Sequence, residues 1–312
     1  MDIHIFYWIG LTAFFIIMFF LDLFVFQKEA HTVAFREAIA FSVMWIGLAV
    51  LFGIIVYYSF GAKPALEYYG AYLVELSLSV DNLFVFILLF SYFNVPQKFR
   101  HKVLFWGIIG AFIMRIIFIV VGIKLIREFE WLLYIFGLIL IYSSIKLIME
   151  RDKDVSIDKN IVVRLAGKFL PVTNSYENGQ FFIRRDKKIV FTPLFLTLIV
   201  VETTDIMFAL DSIPAVFGIT LDPFIAFSSN AFAVLGLRAL YFAIANLIEL
   251  IRFLKYGLSV ILFFIGIKMI IGHFIEIPIY ITLFVIAFIL FVTVMVSILY
   301  PVKDKEAHNK LD

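Results

Sequence analysis

The sequence predicts an all-α polytopic membrane protein of about nine transmembrane helices, built around an inverted repeat of two three-helix units. Three observations predict it. Of the 312 residues 63% are hydrophobic and the mean hydropathy is +1.05, against roughly 45–50% apolar usage in soluble domains. Nine apolar stretches come close to or exceed the ~20 residues that a helix needs to cross a bilayer core. Landmarks also recur at nearly one spacing: Asp81 and Asp205 lie 124 residues apart, Arg115 and Arg238 lie 123 apart, and Tyr134/Tyr256 and Lys146/Lys268 lie 122 apart.

The spans are expected at about 5–26, 38–60, 71–93, 103–123, 131–149, 192–218, 223–248, 256–274 and 278–300. Polar and helix-breaking residues punctuate them: Lys28 and Glu29, Gly61 to Pro64, Pro96 to Lys102, Arg127 to Glu130, Asp222-Pro223, Arg252 to Lys255, and Pro278. The first stretch reads as a span rather than a cleavable leader. It is too long for the apolar region of a leader, no Lys or Arg precedes it, and no small-residue cleavage site follows.

These spans divide the chain into helices 1–5 over residues 1–149, a loop over 150–191, helices 6–9 over 192–300, and a tail over 301–312. In the loop, residues 160–170 suit a short basic amphipathic helix. FFIRRDKKIVF, after the Asn178-Gly179 turn signal, suits a small β-hairpin. The loop is expected to be mainly a solvated connector whose positive charge fixes topology, with a regulatory or docking element as the alternative. Basic residues gather in loops that share one side, including Lys98, Arg100 and Lys102, Arg252 and Lys255, and the Lys303 to Lys310 tail. The positive-inside rule then places the N-terminus outside and the C-terminus in the cytoplasm.

The repeat units are about 71–149 and 192–274, and SVDNLFVF (79–86) aligns with TTDIMFAL (203–210). Three helices is an odd number, so the second unit enters the membrane from the opposite side. In transporters built this way the substrate site lies at the interface of the repeats, near the midplane.

Composition excludes several classes of function. A net charge of +2 gives no basic surface for nucleic acid. The absence of cysteine removes disulfides, thiolate metal sites and cysteine nucleophiles. His4, His31, His101, His273 and His308 all fall at or near expected loops and span ends, which leaves imidazole out of the membrane interior. No organic cofactor is expected, and the sequence names no protein partner.

What remains is carboxylate chemistry. VELSLSVDNLFVF (74–86) and VETTDIMFALDSIPAVFG (201–218) place Glu75, Asp81, Glu202, Asp205 and Asp211 inside apolar spans. An Asp at a helix centre costs about 2.5–3.5 kcal/mol on insertion scales, while a Leu returns only about 0.3–0.6. A divalent cation is the compensating partner that the sequence suggests. Asn82 and the hydroxyls of Ser77, Ser79, Thr203, Thr204 and Ser212 complete a donor set of hard oxygens. That set suits Mn²⁺, Mg²⁺ or Ca²⁺ and suits Zn²⁺ or Cu⁺ poorly. Crowded carboxylates in a low dielectric cannot all stay ionised without a cation, so metal entry should release protons.

On a regular helix Glu75 and Asn82 share a face, whereas Asp211 points nearly opposite Glu202. Pro214 is expected to kink or unwind the helix near Asp211 so that its carboxylate can join the others. Arg115 and Arg238 are read as counter-ions that hold the empty site together, and Asp22 as hydrogen-bonding glue near the inner end of span 1. Gly107, Gly110 and Gly236 are expected to permit close helix approach.

The segments ELSLSVDNLFVF, SYFNVPQKFRHKVLFWGIIGAFIMR, TPLFLTLIVVETTDIMFALDSIPAVFGITLDPFIAFSSNAFAVLGLRALYF and LKYGLSVILFFIGIKM resemble the TerC/Alx family of bacterial integral membrane proteins. LDLFVFQ and REAIAFS are similar too, with Phe24 where relatives often carry glycine. The likeness runs to about residue 300. It implies a place in the bacterial cell (inner) membrane, manganese export, an association with tellurite resistance, and a looser kinship to LysE-type exporters. It also implies that Glu75, Asp81, Glu202, Asp205 and Asp211 are the functional acids. The expected function is thus export of Mn²⁺ as transported substrate, in exchange for protons. A non-transporting adaptor that acts through the 150–191 loop is the alternative. An intramembrane aspartyl hydrolase is disfavoured, because no GxGD-type motif follows either Asp and no His base accompanies them.

Overall fold

The computed structural model describes residues 5–26, 35–149, 171–173, 176, 179–185, 188–244, 253–272, 274–275 and 277–299. Among them are nine helices: α1 (Ile5–Phe26), α2 (Phe35–Phe60), α3 (Ala62–Tyr92), α4 (Gln97–Glu128), α5 (Leu132–Met149), α6 (Pro193–Phe217), α7 (Pro223–Ile244), α8 (Leu254–Ile271) and α9 (Ile279–Leu299). Eight are long and apolar enough to cross a bilayer, and α1 contributes a shorter apolar stretch, Ile5–Met18. The protein is an all-α, multi-pass membrane protein.

Helix ends differ most from the hydropathy boundaries where polar residues extend a span. α3 begins at Ala62 rather than near 71, and α4 at Gln97 rather than near 103. A hydropathy boundary marks the edge of the hydrocarbon, while the backbone hydrogen-bond ladder continues into the headgroup region. At 1.5 Å per residue the 32 residues of α4 span about 48 Å, well beyond a ~30 Å core. Gly61 alone separates α2 from α3, at φ 94°, ψ −178°. That region is open essentially to glycine only, which lets the chain reverse within one residue.

The tight turn between α6 and α7 is held by side-chain capping. Asp222 Oδ1 accepts from the amides of Phe224 and Ile225 at 2.9 and 3.2 Å, and Pro223 occupies the first helical position.

α7 lies at the centre, packed by α2, α3 and α4. Eighteen of its 22 residues are buried, the pattern of a helix enclosed by its neighbours on every side. Phe15, Phe52, Tyr68 and Phe232 form an aromatic cluster where α1, α2 and α3 meet α7. α5 packs along α8. Their backbones approach at Gly137 and Gly266, where a Cβ on either would stand 2.9 or 2.7 Å from the other's carbonyl oxygen. Ser259 Oγ also donates to the Ser144 carbonyl at 2.7 Å. Gly107 meets Val201 of α6, as expected of a close helix approach, whereas a Cβ at Gly236 would make only ordinary contact with Trp45, at 3.7 Å.

The expected hairpin is present as β1 (Phe182–Arg185) and β2 (Lys188–Phe191), antiparallel with Phe182 opposite Phe191. Residues just before it touch the helices, while the strands themselves stay largely exposed. Lys102 Nζ donates to the Gly179 carbonyl at 2.7 Å, the Tyr176 hydroxyl donates to the Phe93 carbonyl, and Phe99 packs against Gly179. Gly179 and Tyr176 of the loop therefore sit against the turn between α3 and α4. Aromatic contact contributes, since the partly buried Tyr176 and Phe181 pack against the apolar cluster shared by α3, α4, α6 and α7. The amphipathic helix expected at 160–170 lies outside the described residues.

Candidate functional site

Helices α3, α4 and α6 bring three charged side chains together inside the bundle. Glu75, Arg115 and Asp205 are only 0%, 1% and 3% exposed. Arg115 Nη1 pairs with Glu75 Oε1, and Nη2 reaches Asp205 Oδ1 at 3.5 Å. Burying a charge in such surroundings is costly unless it is paired, and Arg115 supplies the pairing for both acids. With all three ionised, one negative charge remains in excess.

The pairing leaves atoms over. Glu75 Oε2, Asp205 Oδ2 and Arg115 Nε, together with the hydroxyls of Ser79 and Ser212, are buried without a hydrogen-bond partner within the protein. Ser79 lies one turn beyond Glu75 on α3, and the buried Asn82 lies two turns beyond it. Ser212 follows Asp205 by two turns on α6. Because residues four and seven apart share a helix face, these groups run as polar stripes along α3 and α6, two helices in mutual contact. Buried groups of this kind are usually satisfied, by water or an ion where the protein offers no partner, which makes these oxygens candidate ligands.

Glu202 lies a turn from Asp205 and is half-buried, with its carboxylate directly against Gly110 of α4. Asp211 looks the other way. It accepts from Ser143 Oγ of α5 at 2.6 Å, with Lys146 in electrostatic range. Helix geometry anticipates this opposition of Glu202 and Asp211, but the unwinding expected at Pro214 does not occur. α6 runs unbroken through Pro214 to Phe217. The physical reason is position: Pro214 denies a donor only to the Leu210 carbonyl, and the helix ends three residues later, so little of the ladder is lost. Asp211 consequently stays apart from the Glu75 and Asp205 pair.

The remaining predicted residues divide cleanly. Ser77, Thr203 and Thr204 donate to the carbonyls of Leu73, Ile199 and Val200 at 2.6, 2.7 and 2.7 Å, the ordinary use of a hydroxyl inside a helix. Arg238 is buried on α7. The side chains of Asp22 and Asp81 lie outside the described ones. Among the described residues no three of His, Asp and Glu converge closely enough to hold a metal ion.

Two polar links have no clear signature in the sequence. One is Ser143 to Asp211. The other joins Thr220 Oγ1 to Glu67 Oε2 at 2.8 Å, with Lys268 in electrostatic range of Glu67. Lys146 and Lys268, legible in the sequence only as repeat landmarks, were the available signal, since a lysine inside an apolar span implies a nearby acid.

Residues 60–306, the stretch that carries α3 to α9, match the integral membrane protein TerC family. The chain belongs to the TerC family. Its relatives extend over nearly the same length. A membrane protein of Myxococcus xanthus is 43% identical over 304 residues, which is 96% of this chain and 95% of the relative. One from Rickettsia bellii (strain RML369-C) is 44% identical over 279 residues, 89% of this chain and 92% of the relative. A protein of Escherichia coli (strain K12), carrying the provisional name of a membrane-bound redox modulator, Alx, is 42% identical over 279 residues, 87% of each. No solved structure matches the chain. Every acidic residue of the candidate site in this TerC-family chain falls within the matched stretch.

Proposed function

We propose that this TerC-family protein exports Mn²⁺ from the cytoplasm, exchanging it for protons at a carboxylate site between α3, α4 and α6. The observation that carries the reading is the buried pair Glu75 and Asp205, with carboxylate oxygens that have no donor in the protein. Asp81, Asn82, Glu202 and Asp211 supply further oxygen ligands or the gate on either side. Hard oxygen donors select a cation of the Mn²⁺, Mg²⁺ and Ca²⁺ class. The choice of manganese within that class, and of export, rests on the family resemblance. Protons enter the cycle because vacated carboxylates in a low dielectric must be neutralised.

Helix packing supports the inverted repeat that alternating access requires. Exchange of α3 with α6, α4 with α7 and α5 with α8 turns the α3–α7 contact into the α6–α4 contact, and the α5–α6 contact into α8–α3. At residue level the 122-residue spacing carries the Gly137–Gly266 approach onto the Ser259–Ser144 hydrogen bond. The rocking surface of the two units would then be the α5–α8 seam.

Asp81→Asn and Asp205→Asn are expected to abolish Mn²⁺ efflux from cells while the protein stays in the membrane at normal abundance. Normal efflux by both variants would remove this assignment. The contacts of Tyr176 and Gly179 with the α3–α4 turn favour one second reading, an adaptor that works through a protein partner held there. The redox description of the Alx relatives fits either reading only indirectly, since a chain without cysteine has no thiol to exchange. Deleting residues 171–191 should abolish function in the adaptor reading and only modulate it in the transporter.

A further inference from the structure

We propose that Arg115 is the resident occupant of the cation site: its guanidinium holds the place of the transported ion between Glu75 and Asp205, and the ion must displace it to bind. The inference rests on the cation-transport reading above and concerns how that same site is kept closed to small ions when empty.

The pairing geometry is the first ground. Arginine–carboxylate pairs frequently form two parallel N–H bonds to a single carboxylate. Arg115 instead takes one oxygen from each of two carboxylates on two different helices, and the Asp205 contact is long at 3.5 Å. Its Nε finds no acceptor, and the second oxygen of each acid finds no donor. This is the arrangement of a spherical ion's replacement, a single positive charge set between two acids that could each offer more.

Charge balance is the second. One guanidinium leaves the two acids with a net negative charge, whereas a divalent cation neutralises them fully. The ion therefore has an electrostatic advantage over the arginine, while a monovalent ion has none. A displaced guanidinium cannot stay unpaired at that depth. Glu202, on nearly the same face of α6 as Asp205 and close to it, offers the alternative partner. Arg115 would thus shift by about one turn along α6 each time the site fills and empties.

The consequence is distinctive, because removal of a positive charge that competes with the ligand should tighten binding, whereas removal of a purely structural arginine should not. Mn²⁺ binding to the full-length protein in nanodiscs, read from the loss of the free-ion electron paramagnetic resonance signal, tests it on the wild type, Arg115→Gln and Arg115→Lys. Arg115→Gln is expected to bind Mn²⁺ roughly tenfold more tightly, an ordinary coupling between competing ligands, and to lose net flux because the ion is no longer driven out. Arg115→Lys, too short to span both acids, should fall between. Should Arg115→Gln fail to fold, the lysine variant decides alone. Unchanged or weaker binding in the variants, beside a wild type that binds and transports, overturns the role of Arg115 and leaves the transport reading standing. A wild type that neither binds nor moves Mn²⁺ overturns both.

Discussion

The carboxylate of Glu202 on α6 rests directly against the backbone of Gly110 on α4. The contact explains why α4 carries a glycine there. A methyl group at 110 would occupy the space that the carboxylate fills. Gly110→Ala should therefore push Glu202 aside and lower Mn²⁺ flux with little loss of stability, because what the methyl displaces is the far end of a flexible side chain. Gly236→Ala is the control: its Cβ would meet Trp45 only at 3.7 Å, so flux should be normal and stability level or higher. Thermal unfolding in detergent and flux on the same samples check both.

Asp211 depends on Ser143 for its one described hydrogen bond. Ser143→Ala leaves a half-buried carboxylate short of a donor, at a cost of about 1–3 kcal/mol. Ser143→Thr restores the hydroxyl and should recover most of the loss in thermal unfolding. If Asp211 gates the site, Ser143→Ala will also lower turnover.

The α5–α8 seam makes a prediction about symmetry. Gly137→Ala and Gly266→Ala each place a methyl against the opposite carbonyl, so each should impair folding or flux to a similar degree. Because both substitutions push the same two backbones apart, the double variant should cost less than the sum of the two. Full additivity would argue that the two glycines are not facing partners.

Tyr176 gives the docked segment a dependence on pH. Its hydroxyl lies outside the membrane spans, donates to the Phe93 carbonyl, and is raised above its ordinary value of 10.0 by burial. A group whose folded value is raised contributes stability that is full below the unfolded value and is lost as pH climbs through the folded one. The Tyr176 and Gly179 contacts with the α3–α4 turn should therefore persist through neutral pH and loosen only under strongly alkaline conditions. Hydrogen exchange at Gly179 to Gln180 reads it out, and Tyr176→Phe should weaken docking at neutral pH while blunting the alkaline step.

The fold was legible because bilayer burial leaves a plain signal in the sequence. Among the described residues the nine apolar runs correspond to nine helices, and the turn residues at Gly61, Asp222-Pro223 and Pro278 ended or began them where expected. Helix ends were less legible, since Ala62 and Gln97 start helices in stretches too polar for hydropathy to register. Glu75, Arg115 and Asp205 stood out because charges in a membrane helix need each other. Ser143 did not, because a serine in an apolar span looks the same whether it bonds its own helix or a neighbour's acid. Pro214 misled for a related reason: whether a proline breaks a helix depends on how many turns follow it, which only the true helix end reveals.

The central claim is that the buried acids form a proton-coupled cation pathway. Mn²⁺ flux in proteoliposomes under an imposed pH gradient tests it most directly, comparing the wild type with Asp205→Asn and adding Mg²⁺ and Ca²⁺ as competitors. The account predicts wild-type flux that follows the gradient and vanishes in the variant. A purified wild type that moves no cation, or a variant that moves it equally well, would contradict it.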